Sequence, residues 1–79
     1  MAASERDGLV KRSLTLSGHR TSVALEPEFW DALALIARRQ GRTLAALVTE
    51  TDAARAPARP LASALRIRAL QEVMRLTDR

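Results

Sequence analysis

His19-Arg20-Thr21-Ser22-Val23-Ala24-Leu25 runs straight into Glu26-Pro27-Glu28-Phe29-Trp30, and the change of pattern between the two runs decides the fold. The first run alternates. Thr21, Val23 and Leu25 share one face and Arg20, Ser22 and Ala24 the other, which is the two-residue period of a half-buried strand. The second run stops the strand and starts a helix, because proline is tolerated in a helix's first turn and carboxylates there complement the dipole. A strand over residues 18–25 is therefore expected to feed a helix over 27–40. At about 100° per residue, that helix puts Phe29, Leu33, Ile36 and Ala37 on one face and points Asp31 and Arg38 away.

Downstream, Gly41 is a C-cap glycine and Thr43 can cap a second helix over 43–54, on which Leu44, Leu47, Val48 and Thr51 share a face. Ala56-Pro57-Ala58-Arg59-Pro60 forbids continuation, and a third helical pattern covers 61–77. Its apolar residues form two stripes: Leu61, Ala62, Leu65, Ala69, Val73 and Leu76 on one, and Ile67, Leu70 and Met74 on the other. Such a helix is expected to pack on its own domain and also to touch a partner. Upstream, residues 1–12 show no period and read as a flexible basic N-terminal arm ending in Lys11-Arg12, leaving a single domain over 13–79. The expected class is mainly α with one β-strand.

A lone 79-residue domain hides only roughly 60% of the surface that its unfolded chain exposes. Without cysteine there is neither a disulfide nor a thiolate zinc site to staple it, so a homodimer is expected. Dimerisation would also solve a backbone problem. Ser13 to Leu16 could fold back on the strand through Ser17-Gly18, but such strands would be short, and an isolated hairpin is marginal. Antiparallel pairing of two copies of the strand is preferred, with Thr21, Val23, Leu25, Phe29, Leu33, Ile36, Leu44, Leu47 and Val48 as core and dimer interface.

The formal charge is +4 and the isoelectric point about 11.3, with arginine supplying every basic side chain except Lys11. This suits phosphate or an acidic partner, although a GC-rich genome also enriches arginine. Phe29 and Trp30 are the only aromatics, too few for the stacking platforms that single-stranded nucleic acid needs. No apolar run reaches the length of a spanning helix, and Met1 to Val10 is too polar for a secretion signal, so a cytoplasmic, nucleoid-associated location is expected.

Arg20, Ser22 and Ala24 are chemically suited to one ligand. A two-stranded ribbon fits the major groove of B-DNA, where arginine donates twice to guanine, serine donates or accepts, and alanine touches the thymine methyl. The plain alternative is a face that is merely solvated. Lys11 and Arg12, flanking the ribbon, either hold phosphate or form a solvated tail. His19 has no cysteine or second histidine beside it to complete a metal site. Nothing resembles a nucleophile elbow, a phosphate-cradling loop or a catalytic carboxylate pair, so neither catalysis nor a cofactor is expected. Trp30 beside Phe29 reads as core or interface packing.

The strand, the Glu26-Pro27-Glu28-Phe29-Trp30-Asp31-Ala32-Leu33 run and Gly41-Arg42-Thr43-Leu44 together resemble the ribbon-helix-helix family of bacterial repressors, which includes Arc and the methionine repressor. Lys11 to Leu16, Gly18 to Ser22 and Leu61 to Arg66 resemble, more narrowly, a compact alpha-proteobacterial subgroup with a third helix. The resemblance implies a dimer on double-stranded DNA, with Arg20, Ser22 and Ala24 contacting bases. It also implies a phosphate clamp at the start of the second helix, on Arg42, Thr43 and Leu44. Free N–H groups and the positive end of a helix dipole favour phosphate there on physical grounds too. Ala24 departs from the polar reader found in many relatives. Asp52 stands where simple members bury an apolar residue, so either the second helix ends early or Asp52 meets an arginine.

Two other functions compete. Gly41 to Thr43 also fits the turn of a helix-turn-helix, but its reading helix would carry Glu50 and Asp52, which phosphate repels. An antitoxin-like dimer would instead use the third helix to bind a partner protein, although such tails are usually disordered until bound, and this one looks able to fold.

Overall fold

The computed structural model describes residues 8–78, which run as β1 (Val10–Leu16), β2 (His19–Leu25), α1 (Pro27–Arg39), α2 (Leu44–Ala54) and α3 (Leu61–Thr77). Helix predominates, and a two-stranded antiparallel ribbon precedes three helices. The ribbon expected between two copies is closed within one chain. β1 pairs with β2 from Val10 opposite Leu25 to Leu16 opposite His19, so the chain contributes two strands rather than one.

Sequence alternation hid the first strand at a single position. Val10, Arg12, Leu14 and Leu16 share the face of β1 that meets the helices, and a charge at Arg12 makes the pattern look as if it begins at Leu14. The Arg12 guanidinium is accommodated over the Trp30 ring, 5.0 Å from its centroid, where the electron-rich face attracts a cation. Trp30 Nε1 also donates to the Val10 carbonyl at 2.7 Å, fastening the start of β1 to α1. The basic end of the expected arm is therefore strand from Val10 onward, while residues 1–7 lie outside the described residues. The turn uses Ser17 and Gly18, both at positive φ (51° and 85°), as the commonest two-residue hairpin turn requires.

This hairpin is not isolated, and that is why it stands. Leu16, Val23 and Leu25 are buried, and Leu14 packs against the same core as Trp30, Leu33, Ile36, Leu47, Val48 and Leu65. All three helices lie against the ribbon, α2 on β1 and both α1 and α3 on β2, so Leu16, Val23 and Leu25 of its inner face are covered. Gly41, at φ +67°, ends α1: its N–H donates to the Arg38 carbonyl and that of Arg42 to the Ala37 carbonyl. These are the two bonds of a Schellman cap. Thr43 Oγ1 then accepts from the Ala46 N–H at 3.0 Å and caps α2.

The third helix divides into two halves. Ala64, Leu65 and Ala69 are buried in the common core, and Arg66 reaches Glu26 at 2.9 Å, tying α3 to the strand-to-helix junction. Beyond them, Leu70, Val73, Met74 and Leu76 stay exposed. Asp52 resolves in favour of an arginine: α2 continues to Ala54, and Asp52 meets Arg55 at 2.7 Å.

Candidate nucleic-acid interface

Residues opposite each other in an antiparallel pair point to the same side of the sheet. The pairs Lys11 with Ala24, Ser13 with Ser22, and Thr15 with Arg20 therefore form the outer face of the ribbon, turned away from the helices. Five of these six side chains are exposed and only Ala24 is half-buried. The face is polar and basic, with no carboxylate on it. Arg20 donates to Thr15 Oγ1 at 3.2 Å, and the hydroxyls of Ser13 and Ser22 lie 3.2 Å apart. These are weak, solvent-facing bonds between groups that a ligand can easily recruit.

The expected base readers thus lie together on the open side. Of the expected phosphate residues, Lys11 lies on this outer face, while Arg12 lies on the opposite face against Trp30. Thr21, Val23 and Leu25 face inward with Phe29, Leu33, Ile36, Leu44, Leu47 and Val48, which pack within the single chain. Sequence reasoning missed Ser13 and Thr15 as members of the outer face. The signal was present, since both alternate with Leu14 and Leu16, but it was attached to a strand not credited with pairing.

At the start of α2, the N–H groups of Leu44 and Ala45 precede the capped Ala46 and have no acceptor within the helix. Arg42 stands beside them, held by three acceptors: Glu50 Oε1 at 2.8 Å, the Ala46 carbonyl at 3.0 Å and Gln40 Oε1 at 3.3 Å. Glu50 also receives Arg68 of α3 at 3.0 Å. Hydrogen bonds from Arg42 and then Arg68 hold the Glu50 carboxyl below its ordinary value of 4.5. A backbone hydrogen bond and then Arg66 lower Glu26 in the same way. Because Glu50 is exposed, the pairs are modest in strength, and a phosphate could compete for Arg42. His19, at the ribbon's tip, is exposed.

A second surface differs in kind. Phe29, Ala32, Ile67, Ala69, Leu70 and Val73, together with Glu28 and Arg66, line an open groove of about 330 Å³ between α1 and α3. No helix among the described residues is long and apolar enough to cross a membrane.

A family model described as ribbon-helix-helix domain matches residues 9–73. Among solved structures, the chain is similar to an uncharacterized protein from Bordetella pertussis Tohama I, at 31% identity and a TM-score of 0.72. That likeness covers 92% of this chain but 62% of the other, so the chain spans less than two thirds of its solved relative. None of the curated proteins matches.

Proposed function

The chain belongs to the ribbon-helix-helix family, DNA-binding transcription regulators that typically act as dimers, and we propose that it is a sequence-specific reader of double-stranded DNA. The observation that carries this reading is the outer face of the ribbon, where Arg20 and Ser22 stand exposed opposite the face that the helices cover. Arg20 reads guanine through O6 and N7, Ser22 adds a hydroxyl contact and Ala24 meets a thymine methyl. Arg42, Thr43 and Leu44 clamp a phosphate, the first by charge and the others through free N–H groups at the helix start. Lys11 adds positive charge on the outer face of the ribbon. Arg12, stacked on Trp30, serves phosphate only if it leaves the ring. The expected role is a regulator of transcription in the cytoplasm.

β1 occupies the edge of β2 that was expected to meet a second copy, so the proposed dimer is given another support. That support is the apolar groove, with the exposed Leu70 and Val73 lining it, and the exposed Met74 that follows them on α3, a surface that a second copy covers. The same surface favours a second reading, in which a partner protein docks on α3. In that reading the first half of α3 stays in place, because Leu65 is fully buried in the core.

Binding to random and to preferred duplexes across a salt series tests the proposal. Arg42→Ala is expected to weaken every duplex alike and to reduce the salt slope by about one, whereas Arg20→Ala costs about 1–3 kcal/mol on the preferred duplex only. No duplex binding at low salt by the unaltered chain contradicts the proposal.

A further inference from the structure

We propose that the groove between the end of α2 and α3 binds a small phosphorylated anion, and that an anion held there reduces the availability of Arg42 to DNA phosphate. The binding site stands on the groove alone. Its effect on Arg42 rests on the DNA-binding reading above and adds a means of regulating it.

Arg55, Arg59 and Arg68 line this open groove of about 360 Å³, together with Thr51, Ile67 and Gln71, and no carboxylate among the described residues lines it. Three guanidiniums gathered in one concavity repel one another, and their neighbours neutralise them only in part. Arg55 meets Asp52 at 2.7 Å, while Arg68 shares Glu50 with Arg42 and Glu72 with Arg75. Arg59 meets no carboxylate among the described residues and donates instead to the Ser63 hydroxyl at 3.1 Å. Arg42, Arg55, Arg59, Arg68 and Arg75 thus set five positive charges against three negative ones, on Glu50, Asp52 and Glu72, an excess of two.

Donors are left over as well. A guanidinium carries five N–H groups. Arg59 commits Nη1 alone; Arg55 commits Nε to Asp52 and Nη1 to the Arg59 carbonyl; Arg68 commits Nη1 to Glu50. Planar forks with free N–H groups around one concavity match a phosphoryl group, whose oxygens accept paired hydrogen bonds from arginine. The phosphate of a bound duplex is not the occupant. Arg55 and Ala56 follow the last turn of α2, whose 11 residues span about 16 Å, so the groove lies at the opposite end of that helix from Arg42, Thr43 and Leu44.

Glu50 links the two ends. Its Oε1 accepts Arg42 at 2.8 Å and Arg68 at 3.0 Å, so the two guanidiniums compete for one oxygen. An anion that draws Arg68 into the groove leaves that oxygen to Arg42 alone. Arg42 is then held more firmly by Glu50, and a DNA phosphate must compete harder for it. By linkage, bound DNA weakens the anion by the same factor.

The test is titration of inorganic phosphate against chloride at equal ionic strength, followed at the arginine Nε–Hε signals by NMR, with the full chain and its Arg59→Gln variant. Arg59→Gln removes no ion pair, so its far-UV circular dichroism and Tm are expected to be unchanged. The unaltered chain should show saturable shifts at Arg55, Arg59 and Arg68 with a Kd of about 1–10 mM, and Arg59→Gln should raise the Kd read at Arg55 and Arg68 by about 5-fold or more. Phosphate should also weaken random-duplex binding by about 1.5- to 5-fold more in the unaltered chain than in Arg59→Gln, the scale of one exposed ion pair. Shifts that never saturate and are alike at every exposed arginine would mean screening only, and an equal Kd in Arg59→Gln would place the anion elsewhere; either result overturns the site. Weaker duplex binding by Arg59→Gln without phosphate would assign the groove to the DNA backbone and overturn the small-anion assignment. A saturable site at Arg59 with no differential effect on duplex binding overturns the coupling to Arg42. If the unaltered chain binds no duplex, the DNA-binding reading falls, and the anion site is decided by the NMR titration.

Discussion

The outer face of the ribbon and the last turns of α3 are both open to solvent, yet they are opposites in chemistry. On the ribbon, Lys11, Ser13, Thr15, Arg20 and Ser22 stand exposed and offer charge and hydrogen bonds. On α3, Leu70, Val73, Met74 and Leu76 are each about half exposed and offer only apolar area. A surface of the first kind gains little from another protein's core but matches base edges and phosphates. A surface of the second kind is what a folded chain hides against a protein neighbour. Exposure alone therefore says nothing about function; the chemistry exposed separates a face suited to base edges and phosphates from a face suited to a protein neighbour.

The largest expected effect tests where that second surface begins. Leu65→Ala, at a site with no exposure, should destabilise the fold by about 2–5 kcal/mol in chemical denaturation. A negligible cost would mean that α3 is a detachable tail. Next comes the crossover between the surfaces. Arg20→Ala should erode duplex preference by about 1–3 kcal/mol and leave self-association unchanged. Replacing Leu70 and Val73 together with serine should do the reverse, costing about 1 kcal/mol per residue in association, a roughly tenfold or greater rise in dimer Kd by analytical ultracentrifugation. Loss of both properties in either variant would show the surfaces to be one.

The smallest effect concerns the carboxylates that tie Arg42 and Arg66. Glu50 and Glu26 have carboxyls lowered from the ordinary 4.5. Their contribution to stability is therefore complete above that value and is lost as pH falls below it through the folded-state values. Glu50→Gln should flatten this acid limb in a Tm series. It should also tighten binding to random duplex by roughly 1.5- to 5-fold, because Arg42 is released from a surface pair of modest strength.

The sequence made the order of elements legible wherever a residue's role was local. Pro27 announced α1, Gly41 and Thr43 announced the α1–α2 corner, and Pro57 and Pro60 separated α3. The pairing within the chain was legible only as the less favoured alternative, because Arg12, which covers Trp30 18 positions on, hides the extension of β1 back to Val10 and makes the strand look short. No period reveals that an arginine at an inner strand position is covered by an indole. Of the interface, alternation revealed Arg20, Ser22 and Ala24, while Ser13 and Thr15 needed the register. The hold of Glu50 on both Arg42 and Arg68 joins α2 to the α1–α2 corner and to α3, and such links belong to the tertiary structure alone.

Base reading by the ribbon from the major groove can be probed by substituting 7-deazaguanine in the preferred duplex. That base keeps Watson–Crick pairing and the minor-groove edge but lacks the N7 acceptor that Arg20 is proposed to use. One such substitution at the contacted guanine is expected to weaken binding by about 5-fold or more, and the loss is expected to disappear against Arg20→Ala. Equal affinity for the substituted and natural duplexes at every guanine would contradict base reading by the ribbon.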